Sequence, residues 1–173
     1  MTAREDYWRR ASPATALAAL RIAVGVLFLL FGEYKVFGTG FIQHGDFQGW
    51  INRFIAEGGA YPFMVPVLRH LVLVHPTPIA FLVAYGELAI GLALTFGVWS
   101  RVASLFGFGY MVLLLFSSNY PGAAAPFWQY FGASLDHLVL AMCLAAFAIT
   151  NPDEALSLYA QFVRRRAEHQ VDH

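Results

Sequence analysis

The chain has 173 residues, of which 58% are hydrophobic and 13% charged, and its mean hydropathy is +0.56. That composition excludes an ordinary soluble domain and fits a small protein that crosses a membrane several times. Formal net charge is zero and pI is ≈ 7.0, so no nucleic-acid partner is expected; the single cysteine, Cys143, excludes an intrachain disulfide and a self-contained dithiol couple.

A short head carrying Arg4, Arg9 and Arg10 precedes the first apolar run, residues 14–37. This run passes through Leu27-Phe28-Leu29-Leu30-Phe31 and ends in Glu33-Tyr34-Lys35, too long for a cleaved signal core, and is read as retained. A long loop follows at 38–76. The second run, 78–98, opens at Thr77-Pro78, a cap-then-proline helix start, and the third, 102–116, follows the tight hairpin Trp99-Ser100-Arg101. The fourth, 132–150, stops at Asn151-Pro152, and the tail 151–173 holds Arg164, Arg165 and Arg166.

Lysine and arginine placement orients these runs. With both termini cytoplasmic, that side holds Arg4, Arg9, Arg10, Arg101 and Arg164 to Arg166, against Lys35, Arg53 and Arg69 outside. The expected fold is therefore a single all-α domain: a polytopic membrane four-helix bundle, N-in and C-in, with two external loops. In the first of these, Phe47, Trp50, Ile51, Phe54 and Ile55 recur at helical spacing, with Gln48, Asn52, Arg53 and Glu57 opposite. That pattern predicts an amphipathic interfacial helix forming a lid. The segment from Phe63 to Val74, broken by Pro66 and carrying Arg69 and His70, reads as re-entrant or interfacial. The plainer reading is that both pieces only cover the bundle.

Charges at bilayer depth survive where a partner or a water-filled cavity receives them, so they mark the candidate site. Arg21, Gly25, Phe28, Gly32 and Lys35 share one helical stripe, and Ala80, Ala84, Glu87 and Gly91 form another. Small residues let backbones approach, so both stripes should face the bundle interior. Ala103 and Gly107 give a similar contact in the third run. Counted from the Trp99 hairpin, Tyr110 stands level with Glu87, close enough to share a hydrogen bond. Depth places Arg21 low, Glu87 near the middle, and Lys35, Asp136 and His137 near the external edge. The two cations then bracket Glu87 in a polar column, with Asp136 near Lys35.

Each residue also has a plainer reading. Lys35 could snorkel to the interface, and His137 could be a packing residue bonded to a backbone carbonyl. His44, His70 and His75 lack ligand spacing, so no metal is expected. Glu87 resists such a reading, having no cation three or four residues away on its own helix.

The series Arg21-x3-Gly25-x2-Phe28-x3-Gly32-x2-Lys35, then Glu87-x3-Gly91, then Gly97-x3-Arg101 within Gly-Val-Trp-Ser-Arg, resembles the DoxX/DoxD family of four-helix bacterial membrane proteins over about residues 18–151. The long first loop leans toward the DoxD type, the membrane subunit of thiosulfate:quinone oxidoreductase. The resemblance implies a bacterial inner-membrane location and association with redox partners, and it carries over Arg21, Lys35, Glu87 and Arg101 as the matched polar positions. Two departures stand out. Family members often have paired glycines after the glutamate, where this chain has Glu87-Leu88-Ala89-Ile90-Gly91, and the paired cysteines of distantly similar thiol-oxidising proteins are missing.

Two functions follow as expectations. In one, the chain is a redox subunit that passes electrons from a sulfur compound or partner protein to membrane quinone. Lys35, Tyr110 and Arg21 then bind the quinone, and Glu87, Asp136 and His137 handle its protons. No haem, flavin or iron–sulfur ligation pattern is legible, so the electron donor is external. In the other, the bundle is a non-catalytic anchor for a partner enzyme. The expected partners are the lipid bilayer and either a protein docked on the external face or a second copy of the chain. A transporter fits less well, because four helices without an internal repeat make a poor alternating-access device.

Overall fold

The computed structural model describes residues 13–38, 40–131, 136–150, 153 and 156–158. The basic head, the Arg164 to Arg166 tail and the Asn151-Pro152 stop lie outside them. Among the described residues there are six α-helices and no strand. Helix α1 spans Pro13–Glu33 and runs into a π-turn, Tyr34–Gly38. Helix α2 is Asp46–Ala56, and α3 is a short piece, Met64–Val67, continued by a second π-turn, Leu68–Val72. Then come α4, Pro76–Phe96; α5, Ser100–Ser118; a 3₁₀ turn, Phe127–Phe131; and α6, Asp136–Ile149.

Three helical segments are long and apolar enough to cross a membrane: Pro13–Gly38, Pro76–Phe96 and Ser100–Ser118. Helix α6 is apolar but has only 14 residues, about 21 Å at 1.5 Å per residue, short of a hydrocarbon core of about 30 Å. The expected fourth run was longer, and its first residues, 132–135, lie outside the described set.

Several boundaries differ from the sequence reading for local reasons. Helix α4 opens at Pro76 rather than at Thr77-Pro78, because a first helical turn needs no backbone donor and accepts both prolines. Pro66 likewise sits in the first turns of its helix instead of breaking it. The α4–α5 reversal comes before Ser100: Gly97 at φ 67 and Trp99 at φ 56 are both left-handed and turn the chain, while Ser100 and Arg101 already belong to α5.

Glycine sets the closest helix contact. A Cβ on Gly91 of α4 would lie 2.7 Å from the Leu29 nitrogen and 2.9 Å from the Gly25 oxygen of α1, and one on Gly32 would lie 2.8 Å from the Leu88 nitrogen. Only hydrogen fits there, so α1 and α4 pack backbone to backbone, while α5 pairs mainly with α6. Both small-residue stripes are buried: Arg21, Gly25, Phe28 and Gly32 on α1, and Ala80, Ala84, Glu87 and Gly91 on α4.

Two apolar clusters result. One, around Val24, Phe28, Leu94, Met111, Leu144 and Phe147, joins the long helices. The other joins Ala80 and Ala84 of α4 to Phe41, Phe47, Ile51, Met64 and Leu68 of the 38–76 segment, which lies over that end of α4. Backbone bonds Tyr61 N to Phe116 O (2.9 Å) and Tyr120 N to Gly59 O (2.7 Å) tie this lid to the end of α5. Trp50, expected on the apolar face of α2, is exposed and stands edge-on to Phe54 with Arg53 over its ring. Position 50 falls on the outer flank of a stripe whose centre, Phe47 and Ile51, takes the buried face.

Candidate functional site

Glu87 sits on the buried face of α4 and is only 4% exposed. Its Oε1 accepts hydrogen bonds from Lys35 Nζ and from the Tyr110 hydroxyl, the latter at 2.6 Å. The three residues come from three elements: the π-turn after α1, α4 and α5. A π-turn widens the helix at a single place and re-aims the residue within it, here Lys35. The hydrogen bond between Glu87 and Tyr110 expected from hairpin counting is present. Buried carboxylates need a matching charge and further donors, and Glu87 Oε1 has both. Its Oε2 is buried with no hydrogen-bond partner among the described residues.

The lid also reaches this group. Phe41 places its ring 5.5 Å from Lys35 Nζ, a cation–π approach, and meets Phe47 edge-on behind it. Phe41 carries no sequence signal, since the loop around it has no helical period.

Arg21 is fully buried and is not part of this cluster. Its NH1 donates to Leu94 O at 2.7 Å and its NH2 to Leu156 O at 2.9 Å, with Asp153 Oδ1 at 3.6 Å. Leu94 is seven residues beyond Glu87, about 10 Å along α4, so the expected single column is two separate polar groups. The reason is local: the last carbonyls of a helix lack intrahelical donors and favour a cation. Gly97 makes room for this, since a Cβ there would lie 2.4 Å from Arg21 NH1. Arg101 does the same for α6, its Nε donating to Ala148 O at 3.1 Å.

Asp136 and His137 form a third group. Asp136, half-exposed, accepts from the His137 backbone N–H at 2.7 Å and lies 3.3 Å from His137 Nδ1. His137 Nδ1 also stands 2.8 Å from Asn119 Oδ1, a hydrogen bond in the tautomer that carries its hydrogen on Nδ1. His137 is therefore held by side chains at the ends of α5 and α6 rather than by a backbone carbonyl. Lys35 is within electrostatic range of it. No group of three or more His, Cys, Asp or Glu is arranged to hold a metal among the described residues.

Glu87 and Tyr110 line an apolar cleft of ≈ 1010 Å³ between α4 and α5, walled by Leu82, Phe96, Trp99, Phe106 and Leu113. The arrangement is a buried, partly satisfied carboxylate at the polar point of a hydrocarbon-lined groove. It can accept a proton or a hydrogen bond from a lipophilic molecule.

Comparison with curated proteins and with solved structures gives no match. Residues 16–119, which include Arg21, Lys35, Glu87, Arg101 and Tyr110, match the family described as DoxX. With three helical segments apolar enough to span a bilayer, this is a membrane protein that belongs to the DoxX family.

Proposed function

We propose that this protein is the membrane subunit of a redox system in a bacterial inner membrane. In this reading an external donor passes electrons to a membrane quinone held at Glu87, Tyr110 and Lys35. The observation that carries it is the orphaned Oε2 of Glu87 beside an apolar cleft. A buried carboxylate oxygen without a donor is unfavourable by about 1–3 kcal/mol or more, which the hydroxyl of a bound quinol, the two-electron, two-proton product, would relieve.

The quinone, when bound, supplies a two-electron, two-proton acceptor. The chain's own residues do the rest. Lys35, whose ammonium keeps N–H groups beyond the one given to Glu87, presents the donor that orients an oxygen at the polar point; the Tyr110 hydroxyl holds Glu87 Oε1 in place, and Glu87 takes up or releases a proton there. Asp136, half-exposed, and His137, within electrostatic range of Lys35, lead protons from the surface. Electrons come from a sulfur compound, two thiosulfates joining through a new S–S bond and releasing two electrons, or from a protein docked on the external face. The bundle in this reading has four spanning helices, α1, α4, α5 and an extended α6, with both termini inside and the lid outside. Arg21 is removed from quinone contact and assigned to holding the α4 end.

The test is quinone binding by the purified protein in lipid nanodiscs, with and without Glu87→Gln. Binding that weakens at least about tenfold in the variant, at unchanged melting temperature, supports the redox reading. Absence of quinone binding by the native chain, together with a lowered melting temperature for Glu87→Gln, overturns it in favour of a non-catalytic anchor whose ion pair sets helix register.

A further inference from the structure

The 38–76 lid has two limbs whose outer sides differ in chemistry. On α2 the side turned from the core carries Gln48, Asn52, Arg53 and Glu57 beside Trp50, all exposed, a surface suited to water. The limb from Phe63 to Val74 is the reverse. Phe63, Val67, Leu71 and Val74 recur at steps of four, four and three, which return them to one side of a helix, and they are 42 to 59% exposed. The neighbouring side is taken up by packing, since Met64 and Leu68 are buried in the cluster that includes Ala80 and Ala84. Arg69, two residues from both Val67 and Leu71, falls opposite the stripe, and His70 lies at its edge.

Two observations put this limb at the depth of hydrocarbon. Ala80 and Ala84 lie four and eight residues inside α4, so the cluster holding Met64 and Leu68 descends roughly 6 to 12 Å past the start of a helix apolar and long enough to span. At the other end of the limb, the Phe63 ring stands edge-on to Phe116 of α5 at 5.2 Å, and Tyr61 N donates to Phe116 O. The limb therefore runs between the lid ends of α5 and α4, starting beside Phe116 and leading into Pro76. Twelve residues are too few to cross a bilayer and enough to dip into one. The chain passes directly from this stripe to Phe81 and Leu82, exposed on α4, which meet acyl chains in any membrane that α4 crosses. An exposed apolar face of this kind calls for a covering, and its continuity with α4 names the lipid.

We propose that the 63–74 limb is immersed in the lid-side leaflet, its Phe63, Val67, Leu71 and Val74 stripe covered by phospholipid acyl chains, while the polar side of α2 stays in water. The lid then straddles the membrane surface, with one limb on each side of it. This stands apart from the quinone reading and holds whether or not a quinone binds at Glu87.

The experiment uses the full chain in phosphatidylcholine nanodiscs. In the native protein, a phosphatidylcholine with a diazirine midway along one acyl chain is photoactivated and its adducts are mapped by peptide mass spectrometry. Immersion requires adducts on 63–74 at a yield comparable with those around Leu82, and several-fold fewer on 52–57. Their absence from 63–74 while Leu82 is labelled overturns the proposal. Nitroxide labels then read the environment position by position, at Val67→Cys and Leu71→Cys in a Cys143→Ser background, with Leu82→Cys as the hydrocarbon reference and Glu57→Cys as the water reference. Labels at 67 and 71 should match 82, colliding several-fold more with oxygen than with a water-soluble nickel chelate. Preference for the chelate, as at 57, overturns the proposal by putting the stripe in water. Collision with neither reagent overturns it as well, because a protein, such as a second copy of the chain, then covers the stripe.

Discussion

Lys35 and Glu87 are each tolerable at their depth because of the other, so single and paired replacements should behave very differently. Lys35→Met leaves the carboxylate buried with Tyr110 as its one remaining hydrogen-bond donor. The expected loss is about 3 kcal/mol, the low end for breaking a buried pair because Lys35 keeps a side chain 21% exposed. Adding Glu87→Gln to that variant removes the uncompensated charge and should restore most of the loss. Thermal melts of both variants in detergent check this; equal stability for single and double variants would contradict it. The phenol of Tyr61, in the lid, titrates above its ordinary range, held there by burial and then by the neighbouring Tyr130 and Tyr120. A raised value means that the folded state resists ionisation. Its contribution to stability is complete below about pH 10, the unfolded value, and is lost as pH rises further. Alkaline melting of the native chain should therefore steepen above that pH, and Tyr61→Phe should flatten it.

At the scale of elements, the contact between α1 and α4 depends on hydrogen-sized side chains. Gly91→Leu drives a side chain against the Leu29 nitrogen and the Gly25 oxygen, which are backbone atoms that cannot step aside. Overpacking of this kind costs about 1–3 kcal/mol, and here the helices must also separate. The variant should melt well below the native chain, whereas Gly109→Leu, in open space, should not. Comparing the two in one detergent isolates packing from hydrophobicity. These stripes were legible in the sequence because a 3.6-residue period repeats small residues on one side, and Tyr110 was legible because a hairpin fixes depth on both of its arms. The destination of Arg21 was not. Its acceptors are the main-chain oxygens of Leu94 and Leu156, and a carbonyl belongs to every residue, so no letter in the sequence announces it. Phe41 was hidden for a related reason: it reaches Lys35 from an irregular loop, where no period assigns a direction. The helix at 46–56 was legible from its period, with Phe47 and Ile51 on the packed face, while the exposure of Trp50 was not, since periodicity locates the centre of a stripe better than its edges.

For the whole molecule, the lid packs with one end of α4 in one apolar cluster, and the long helices pack on one another in a second. Ile51→Ala should loosen the lid by about 2–5 kcal/mol of local stability while leaving the α1–α4 contact intact. Hydrogen exchange should then rise across 41–68 and stay slow in α4; a uniform rise would mean that the two clusters melt together. Arg21 joins places far apart in the chain, its two hydrogen-bonded carbonyls lying 73 and 135 residues further on. During synthesis at about 5–20 residues per second, the last of these acceptors leaves the ribosome roughly 7–27 s after the guanidinium it will meet. Until that interval ends the guanidinium has at most the Leu94 carbonyl of this pair, and its acceptor in the tail is still to be made, which makes the nascent chain a ready substrate for membrane quality control. Genetic lesions that stop translation before residue 153 should therefore be cleared from the cell faster than equally short losses elsewhere, even though every long apolar helix has already been made.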